Sequence, residues 1–451
     1  MSFPKYPAYK DSGVEWLGRI PEHWSIKKFR YVFEESPEKI IDEVVGEMLS
    51  VSGYRGIEIK QYDDEGRRRT DDELVGYRVV RPGQLVVNTM WLNYSGLGVS
   101  EHEGHVSPAY RSYWIDPSLD KKFIHHLMRS GTYVQGYTKL LTGIRPNSLQ
   151  MGRDDLMVFP VLLPPKSEQT QVARFLDHET ARIDALIEEQ QRLIELLKEK
   201  RLAVISHAVT KGLDPSVPMK DSGVEWLGAV PAHWTVSKLK FMTDCVVDCP
   251  HETPDYDPDG DYLVIRTADL DQGTLKPDQM YRLGREQYTH RTRRASLKNK
   301  DIVYGREGER WGHAALVPES DLYALGQRMM QFRVSSDVCP EFFMYQLNSV
   351  SIYRQGEVDT VGATSPHVNI STIINYQMMI PPLAEQTQIA RHLSKTLQAM
   401  DSLIGESIDT VDLLQERRSA LISAAVTGKI DLRGWQPPAG KPAPLREQET
   451  A

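Results

Sequence analysis

Residues 168–210, EQTQVARFLDHETARIDALIEEQQRLIELLKEKRLAVISHAVT, contain neither glycine nor proline and predict one long helix. The same pattern returns without a gap at residues 385–427, EQTQIARHLSKTLQAMDSLIGESIDTVDLLQERRSALISAAVT, 217 residues further along the chain. Asp184 and Asp401 are one identical pair, and Arg201 and Arg418 are another. A helix of this length recurring in one chain predicts a molecule built from two related halves.

The apolar residues of the two copies predict a contact between helices. In the first copy the spacing alternates between three and four residues, which is typical of a coiled-coil seam, and in the second copy the apolar stripe is slightly rotated. Forty residues of helix span roughly 60 Å, more than one domain core needs, so we interpret the pair as an antiparallel spacer. The predicted packing residues are Ile183, Leu186, Leu193 and Leu197 in the first helix, and Leu403, Ile404, Ile408, Val411 and Leu414 in the second.

A second repeat lies upstream of each helix. Residues 10–18, KDSGVEWLG, are identical to residues 220–228, and both continue to a Pro-x-His-Trp motif at residues 21–24 and 231–234. The order along the chain is therefore leader, variable segment and long helix, repeated once. The leader recurs after 210 residues and the helix after 217, so the second variable segment is about seven residues longer.

The two variable segments, residues 29–163 and 239–380, have little sequence similarity to each other. Short β-type runs at residues 85–87, 158–163, 262–265, 301–304 and 329–334 and short helices at 121–129 and 340–348 predict a mixed α/β fold in each, of the α+β type. We expect two globular domains separated by two long antiparallel helices, with a pseudo-two-fold repeat. The predicted boundaries are 1–163 for leader and first domain, 164–215 for the first spacer helix, 216–380 for leader repeat and second domain, 381–432 for the second spacer helix, and 433–451 for a disordered tail.

Composition limits the class of protein. The chain has 451 residues, 40% of them hydrophobic, no apolar run long enough to cross a membrane and no signal-peptide core, so we expect a cytoplasmic protein without membrane contact. The three cysteines agree with a reducing compartment. The net charge of −8 is a sum over the whole chain and leaves room for locally basic surfaces.

The sequence contains no recognisable catalytic motif. A phosphate-binding G-x-x-x-x-G-K-[ST] loop, a dinucleotide-type G-x-G-x-x-G and an Asn/Asp-Pro-Pro-aromatic methyltransferase loop are all absent. Asp301 with Glu307 and Glu309 resembles a nuclease cluster only weakly, because the expected lysine is missing. A zinc site at Cys245, Cys249 and His251 lacks a nearby fourth ligand, so buried free cysteines are the preferred interpretation.

The remaining chemistry is that of recognition. Basic residues are dense at 282–310 and at 67–69, with tyrosines and Trp311 between or near them, which suits a surface that grips phosphates. Two loops at residues 142–148 and 362–369 occupy the same place in their halves, shortly before the long helices. They combine Arg, Asn, Ser, Thr and His, the side chains that bind base edges in the major groove, although a plain turn role fits them equally.

Taken together, the leader K-D-S-G-V-E-W-L-G…P-x-H-W, the helix start P-P-x-x-E-Q-T-Q-[VI]-A and the helix end A-[VL]-I-S-x-A-V-T resemble the DNA specificity subunit of type I restriction-modification enzymes. The resemblance covers residues 9–432. It implies that each variable segment is a target-recognition domain for one half of an interrupted, asymmetric sequence in double-stranded DNA. It further implies that the helices set the gap and bind two copies of a DNA adenine methyltransferase subunit, which a restriction and translocation subunit can join.

On this interpretation the chain has no active site and binds no cofactor itself, while S-adenosylmethionine, ATP and magnesium belong to the partner subunits. No metal site is expected. The candidate DNA-binding residues are Tyr54, Arg55, Asn88, Asn93, Tyr94, Arg145 and Asn147 in the first domain, and Arg266, Arg306, Arg310, Gln327, Arg328, Thr364, His367 and Asn369 in the second.

Two alternatives of other classes stay open at the level of sequence. One is a self-contained nuclease or methyltransferase with a coiled-coil arm, which would act on DNA unaided. The other is a protein scaffold, which would show no salt-dependent binding to duplex DNA.

Overall fold

Strands and helices follow the repeated order of the sequence in a computed structural model that describes residues 3–62, 69–143, 149–224, 227–308, 310–358 and 367–438. In the first half the elements are β1 (Tyr9–Asp11), β2 (Arg19–Pro21), β3 (Ser25–Lys28), β4 (Phe33–Glu35), β5 (Glu47–Ser52), β6 (Gly56–Ile59), α1 (Asp71–Leu74), β7 (Arg78–Val80), β8 (Leu85–Asn88), β9 (Leu97–Val99), β10 (Gly104–Val106), β11 (Tyr110–Ile115), α2 (Lys121–Arg129), α3 (Gly131–Thr138), α4 (Arg153–Val158), β12 (Pro160–Leu163) and α5 (Lys166–Lys211).

The second half has a related but not identical order of elements. Its elements are β13 (Met219–Asp221), β14 (Ala229–Pro231), β15 (Thr235–Lys238), β16 (Thr243–Asp248), β17 (Tyr262–Ile265), β18 (Leu270–Asp271), β19 (Thr274–Leu275), β20 (Tyr281–Leu283), α6 (Arg285–Arg291), β21 (Ile302–Gly305), β22 (Ala314–Leu316), β23 (Tyr323–Leu325), β24 (Met329–Val334), α7 (Pro340–Leu347), α8 (Val350–Glu357), α9 (Ile370–Ile373), β25 (Gln377–Ile380) and α10 (Leu383–Val426).

Most of the elements predicted from the sequence are present at the expected places. The predictions for β17, β24 and α2 match to the residue. Strand β8 is one residue longer than predicted, α7 is one residue shorter, and β21 is shifted by one residue. The predicted strand at residues 158–163 begins later, because Val158 ends the short helix α4 and only Pro160–Leu163 is extended.

Both long helices end where glycine permits a left-handed backbone. Helix α5 ends at Lys211, and Gly212 follows with φ +77°; α10 ends at Val426, and Gly428 has φ +70°. A glycine in this conformation closes a helix at low cost because it has no Cβ to clash with the preceding turn.

The chain divides into two units, Met1–Gln191 with Asp409–Ala451, and Arg192–Ile408. Each unit therefore contains one variable segment together with a part of α5 and a part of α10.

In the first unit, the variable segment contains two sheets. One has the strand order β4-β11-β8-β9 and is antiparallel throughout, with Tyr113 opposite Leu85. The other has the order β6-β5-β10-β7, in which β10 runs parallel to β5. Buried aromatic side chains such as Trp24, Phe29 and Phe123 form the main core under the antiparallel sheet.

In the second unit, the antiparallel sheet has the order β16-β24-β21-β22, and Phe332 lies opposite Ile302. The second sheet has the order β20-β17-β23, in which β17 runs parallel to β23. By position along the chain, β16, β24, β21 and β22 correspond to β4, β11, β8 and β9. The two variable segments thus share a sheet of the same topology although their sequences differ.

A carboxylate near the start of each long helix ties the helix to its leader. Glu168 accepts hydrogen bonds from Tyr6 Oη at 2.9 Å and Trp24 Nε1 at 3.0 Å, and lies 2.6 Å from His23 Nε2. In the second unit, Glu385 accepts from Trp234 Nε1 at 3.1 Å and lies 2.8 Å from His233 Nε2. The repeated Glu and Pro-x-His-Trp motifs are therefore two parts of one contact.

Within each unit the two long helices run antiparallel and share an ion pair. Asp184 binds Arg418 at 2.8 Å in the first unit, and Arg201 binds Asp401 at 3.1 Å in the second. These are the residue pairs that the sequence repeats. The same two residue types therefore join the helices once in each unit.

The packing between the helices confirms part of the predicted seam. In the first unit Ile183 and Ile187 pack with Val411, and Leu414 lies half-buried beside them. In the second unit Leu197 and Ile404 are half-buried, and Ser407 is 6% exposed. The contact between the helices therefore includes Ile183, Val411 and Leu414 of the predicted set, and Leu197 and Ile404 are half-buried.

The prediction is wrong for Leu186, Leu193, Leu403 and Ile408, which are 39% to 49% exposed. Residues three and four apart lie on either side of the line of contact, because 3.6 residues complete one turn. The contact takes Ile187 instead of Leu186 and the polar Ser407 instead of Ile408, which turns the predicted apolar residues outward.

The start of the predicted disordered tail is packed in the first unit. The Trp435 ring lies 5.2 Å from the ring of Phe175 in an edge-on contact, and Arg433 lies over the Tyr6 ring at 5.1 Å. Residues 439–451 lie outside the described residues. Among the described helices, none combines the length and hydrophobicity that a membrane span requires.

Candidate nucleic-acid interface

In the first unit the β8–β9 loop exposes apolar and aromatic side chains at its tip. Met90, Trp91 and Tyr94 are 42%, 53% and 58% exposed, and the rings of Trp91 and Tyr94 are 6.0 Å apart in an edge-on contact. Leu92 between them is fully buried and anchors the loop in the core. The buried Leu92 therefore holds the loop in place while Met90, Trp91 and Tyr94 are exposed.

Arg129, the last residue of α2, holds this loop next to the β5–β6 turn. Its Nη1 donates to the carbonyl oxygens of Ser95 at 3.1 Å, Leu97 at 2.5 Å and Ser52 at 3.2 Å, and its Nη2 donates to that of Gly53 at 2.8 Å. Burial lowers the pKa of Arg129 to about 10. One guanidinium thus joins two loops that are distant in sequence.

The predicted residues Arg55, Asn93 and Tyr94 are brought together by this arrangement. Arg55 follows the turn that Arg129 holds; its side chain is 71% exposed, with Nε 3.3 Å from Glu58. Asn93 is half-buried, and its Oδ1 has no hydrogen-bond partner among the described residues.

Two other predicted residues of this domain make contacts within the protein. Asn88 is 5% exposed, and its Oδ1 accepts a hydrogen bond from the backbone N–H of Met90, so it stabilises the loop from within. Tyr54 donates from its hydroxyl to Asp184 on α5 at 2.7 Å, and the Arg418 guanidinium lies 4.7 Å from the ring centre. Tyr54 therefore contacts the long helices of its unit.

Arg145 and Asn147 lie outside the described residues, but the flanks of their segment are placed. Thr142 and Gln150 exchange backbone hydrogen bonds of 3.0 Å, and the N–H of Met151 donates to the carbonyl of Thr89 at 3.1 Å. Met151 therefore lies beside the start of the β8–β9 loop.

In the second unit the β21–β22 loop occupies the corresponding place in its sheet. Its first residue, Arg306, is 7% exposed, with Nε 3.2 Å from Asp248 and Nη2 2.7 Å from Glu307. Its carbonyl accepts from the N–H of Val368 at 3.0 Å. This side chain connects three segments of the domain, and its contact with DNA stays a prediction.

Arg266 and Arg310 are also engaged within the protein. Arg266 binds Asp269 through Nε at 2.9 Å and Nη2 at 2.7 Å and stacks on the Tyr281 ring at 3.7 Å. The Nη1 of Arg310 donates to the carbonyls of Ala268 at 3.0 Å and Leu270 at 2.8 Å. These contacts position the loops, and the DNA contacts of both arginines stay predictions.

The turn of Gln327 and Arg328 lies next to the β21–β22 loop. The N–H of Arg306 donates to the Arg328 carbonyl at 3.0 Å, and Gln327 Nε2 donates to Thr253 Oγ1 at 3.0 Å. The backbone of His367 pairs with that of Glu307. The structure therefore brings the predicted residues Gln327, Arg328 and His367 to one place.

The last two predicted residues flank this cluster. Asn369 is exposed and precedes α9 without a side-chain cap. Thr364 lies outside the described residues, in the segment that ends at His367.

Potential metal ligands near this cluster already have a cationic neighbour. One ligand atom each of Asp248, Cys249 and His251 lies within 4.8 Å of the others. The Arg306 guanidinium, however, binds Asp248 and lies 3.4 Å from the His251 ring nitrogens. Burial raises the pKa of the Cys249 thiol, which disfavours the thiolate that a metal needs. The arrangement holds Arg306 in place.

Sequence analysis missed Met90, Trp91 and Arg129. Trp91 lies in a short polar stretch between two β-type runs, and an aromatic residue at such a position indicates an exposed loop tip. Arg129 gives no comparable signal, because its role depends on four carbonyl groups from two distant loops.

The comparisons with known proteins agree with one another. Residues 234–411 match the family described as type I restriction modification DNA specificity domain. Over 321 residues the chain is 22% identical to the type I restriction enzyme EcoKI specificity subunit of Escherichia coli (strain K12), which covers 68% of this chain and 65% of that protein.

Two further comparisons extend over most of the chain. The putative type I restriction enzyme MjaX specificity subunit of Methanocaldococcus jannaschii is 18% identical over 448 residues, 92% of this chain and 96% of that protein. A chain from a solved type I R-M system, a structure concerned with complex assembly and conformational transition, has the same fold, with a TM-score of 0.66 at 14% identity, covering 90% of this chain and 98% of that chain. The chain is thus similar to type I restriction enzyme specificity subunits, and its residues 234–411 match the specificity domain of that family.

Proposed function

We propose that the protein is the sequence-specific DNA-binding subunit of a type I restriction-modification complex, with one variable domain for each half of a bipartite, asymmetric target. The observation that carries this proposal is the shared sheet with unlike loop tips. The β8–β9 loop presents Met90, Trp91 and Tyr94, whereas the β21–β22 loop lies with Arg328 and His367. One scaffold carrying two different surfaces suits two different half-sites.

The net charge of −8 does not oppose this role, because several acidic groups of the second unit are paired with arginines of the same unit. Asp248 and Glu307 bind Arg306, Asp269 binds Arg266, and Asp301 binds Arg333 at 2.7 Å. DNA affinity depends on the charges at the contact surface and on contacts with phosphates. The charge of that surface therefore affects DNA affinity more than the net charge of the whole chain does.

The exposed leucines of the long helices support the binding of two copies of a methyltransferase subunit. Leu186 and Leu403 are equivalent in the repeat and are 39% and 49% exposed; Leu196 and Leu413 are also equivalent and are 51% and 64% exposed. Each unit therefore exposes a leucine on α5 and a leucine on α10, and the second unit also exposes Leu193 of α5. A surface that occurs twice in one chain suits a partner present in two copies.

In this proposal the chain contributes recognition and no catalysis. Two DNA adenine methyltransferase subunits supply S-adenosylmethionine chemistry, and a restriction and translocation subunit, where the host has one, supplies ATP- and magnesium-dependent steps. The specificity subunit itself binds no cofactor.

The test is sequencing of methylated bases in a host that carries this chain with its methyltransferase partner. We expect two unlike half-sites separated by a fixed gap, with centres about ten base pairs apart if both lie on one face of the duplex. A single continuous palindromic motif would contradict the proposal, because unlike loop tips do not suit identical half-sites.

The purified chain distinguishes the alternatives. Cleavage or methylation of DNA by the chain alone would establish an enzyme, and duplex binding without salt dependence would oppose phosphate-mediated recognition. We expect neither result.

A further inference from the structure

Arg328 differs from its neighbouring arginines in how its guanidinium is engaged. Arg266, Arg306 and Arg310 each donate from a terminal amino group to an acceptor of the protein. The side chain of Arg328 is 49% exposed, and the closest ionic contact is from Nε to Glu307 Oε2 at 3.6 Å. Within the described part of the chain, neither Nη1 nor Nη2 of Arg328 has a hydrogen-bond acceptor.

The backbone of Arg328 is held in a conformation that residues with a side chain rarely adopt. Its φ is +70°, in the left-handed region where glycine and asparagine are the usual residues. The hydrogen bond from the Arg306 N–H to the Arg328 carbonyl fixes this turn against the β21–β22 loop. An arginine at a position that costs free energy indicates a role for its side chain.

Glu307 orients the exposed guanidinium. One carboxylate oxygen binds Arg306 at 2.7 Å, and the other lies 3.6 Å from Arg328 Nε. Because this carboxylate lies beside Nε, the planar fork formed by the two terminal amino groups, Nη1 and Nη2, is available to a ligand. Gly308 lies next to this fork, since a Cβ placed on Gly308 would be 3.7 Å from Arg328 Nη1.

We propose that Arg328 reads a guanine in the half-site of the second unit, by donating from Nη1 and Nη2 to guanine O6 and N7, and that Glu307 is its positioning residue. Guanine alone presents two acceptors on its major-groove edge, and a planar guanidinium matches them with two parallel hydrogen bonds. The inference rests on the proposed function, because it assumes that this unit reads DNA.

The experiment is methylome sequencing of the complete complex with wild-type chain and with Arg328→Lys, Arg328→Gly and Glu307→Gln. Lysine keeps the charge but loses the fork, and glycine keeps the left-handed backbone but loses the side chain. Arg285→Lys is the matched control, because Arg285 is an exposed arginine at the start of α6 in the same unit.

We expect the wild-type half-site of the second unit to contain a fixed guanine. Both Arg328 variants are expected to lose discrimination at that position by about 5- to 100-fold, without change at other positions or in the other half-site. Glu307→Gln is expected to relax the same position to a smaller degree, and Arg285→Lys to relax none.

Three results would overturn the assignment. The first is a half-site without a fixed guanine, and the second is unchanged base preference in the Arg328 variants. The third is a uniform loss of methylation at all sequences, which would identify a phosphate contact instead. Relaxation by Glu307→Gln at other positions would overturn its positioning role. Failure of the proposed function is distinguishable, because then the wild-type complex itself would methylate no bipartite motif.

Discussion

Trp91 is a large aromatic residue that lies exposed at a loop tip of the first unit. It exposes 53% of its surface while Leu92 beside it is fully buried. We expect Trp91→Ala to lower the affinity of the assembled complex for its DNA target by roughly tenfold, because interface aromatics contribute much of the binding free energy. The measurement is equilibrium binding at fixed salt concentration.

Trp114 provides the control for Trp91. It lies on β11 of the same sheet and is 40% exposed, so Trp114→Ala removes a similar exposed ring elsewhere. Unchanged affinity for Trp91→Ala, or an equal loss for Trp114→Ala, would contradict the assignment of the β8–β9 loop tip to DNA binding.

His125 predicts a pH dependence of stability. Its Nδ1 accepts from the N–H of Val99 at 3.2 Å, and its pKa is lowered well below 6.5, first by burial and then by the nearby charges of His126 and Arg129. The unfolded chain therefore binds a proton near pH 6 that the folded protein does not. Stability is lost as the pH falls below about 6.5, by up to ~1.4 kcal/mol per pH unit.

His125→Gln isolates this contribution, because glutamine keeps a hydrogen-bond acceptor but does not titrate. We expect urea unfolding at pH 7.5 and 5.5 to show a smaller loss of stability in the variant than in the wild type. Parallel pH profiles for the two proteins would mean that His125 does not titrate as its surroundings indicate.

The sequence predicts which residue types lie in the interface loops. It does not predict whether each of those side chains is already bound within the protein. The sequence identifies arginines in suitable loops, yet Arg306 is neutralised by Asp248, which lies 58 residues away, whereas the terminal amino groups of Arg328 have no acceptor among the described residues. Which arginine is engaged depends on long-range contacts that no local pattern contains. Asn88 is a similar case, because a buried turn asparagine and a base-reading asparagine have the same local sequence signature.

At the scale of elements, the two helix starts allow a matched comparison. The side chain of Glu168 is 10% exposed and contacts three groups, Tyr6, His23 and Trp24; that of Glu385 is 27% exposed and contacts His233 and Trp234. Removing a buried charged acceptor leaves its donors unsatisfied. We expect Glu168→Ala to destabilise by roughly 2–3 kcal/mol and Glu385→Ala by about 1–2 kcal/mol.

The measurement is urea unfolding followed by tryptophan fluorescence. A loss for Glu385→Ala equal to or larger than that for Glu168→Ala would show that the extra tyrosine contact and the deeper burial do not contribute.

Elements were easier to predict than their packing. Strands β17 and β24 and helix α2 follow from local β-type runs and from apolar periodicity, because these patterns reflect one element at a time. The helix seam was placed one residue off at Leu186, because apolar residues three and four apart are equally available on a helix surface. The partner helix decides between them, and here it also places the polar Ser407 inside.

At the scale of the whole molecule, duplication and divergence affect different parts of the chain. The leaders, helix starts and inter-helix ion pairs recur nearly unchanged, while the loops on the shared sheet have unlike chemistry. Duplication was visible in the sequence from its identical motifs. The common strand order of the variable segments was not, because topology persists after sequence similarity is lost.

The proposed division of labour predicts that spacing and recognition can be changed separately. Inserting four residues into α5 near Glu195, about one helical turn, adds ~6 Å of helix, which corresponds to about two base pairs of duplex. We expect methylome sequencing to find a longer gap between two unchanged half-sites, because the insertion lies outside both variable segments. The same insertion in the exposed turn near Pro215, after α5 has ended, is the control and is expected to leave the gap unchanged. Altered half-sites with an unchanged gap would refute the role of the helices as a spacer and would place their contribution in the folding of the recognition domains.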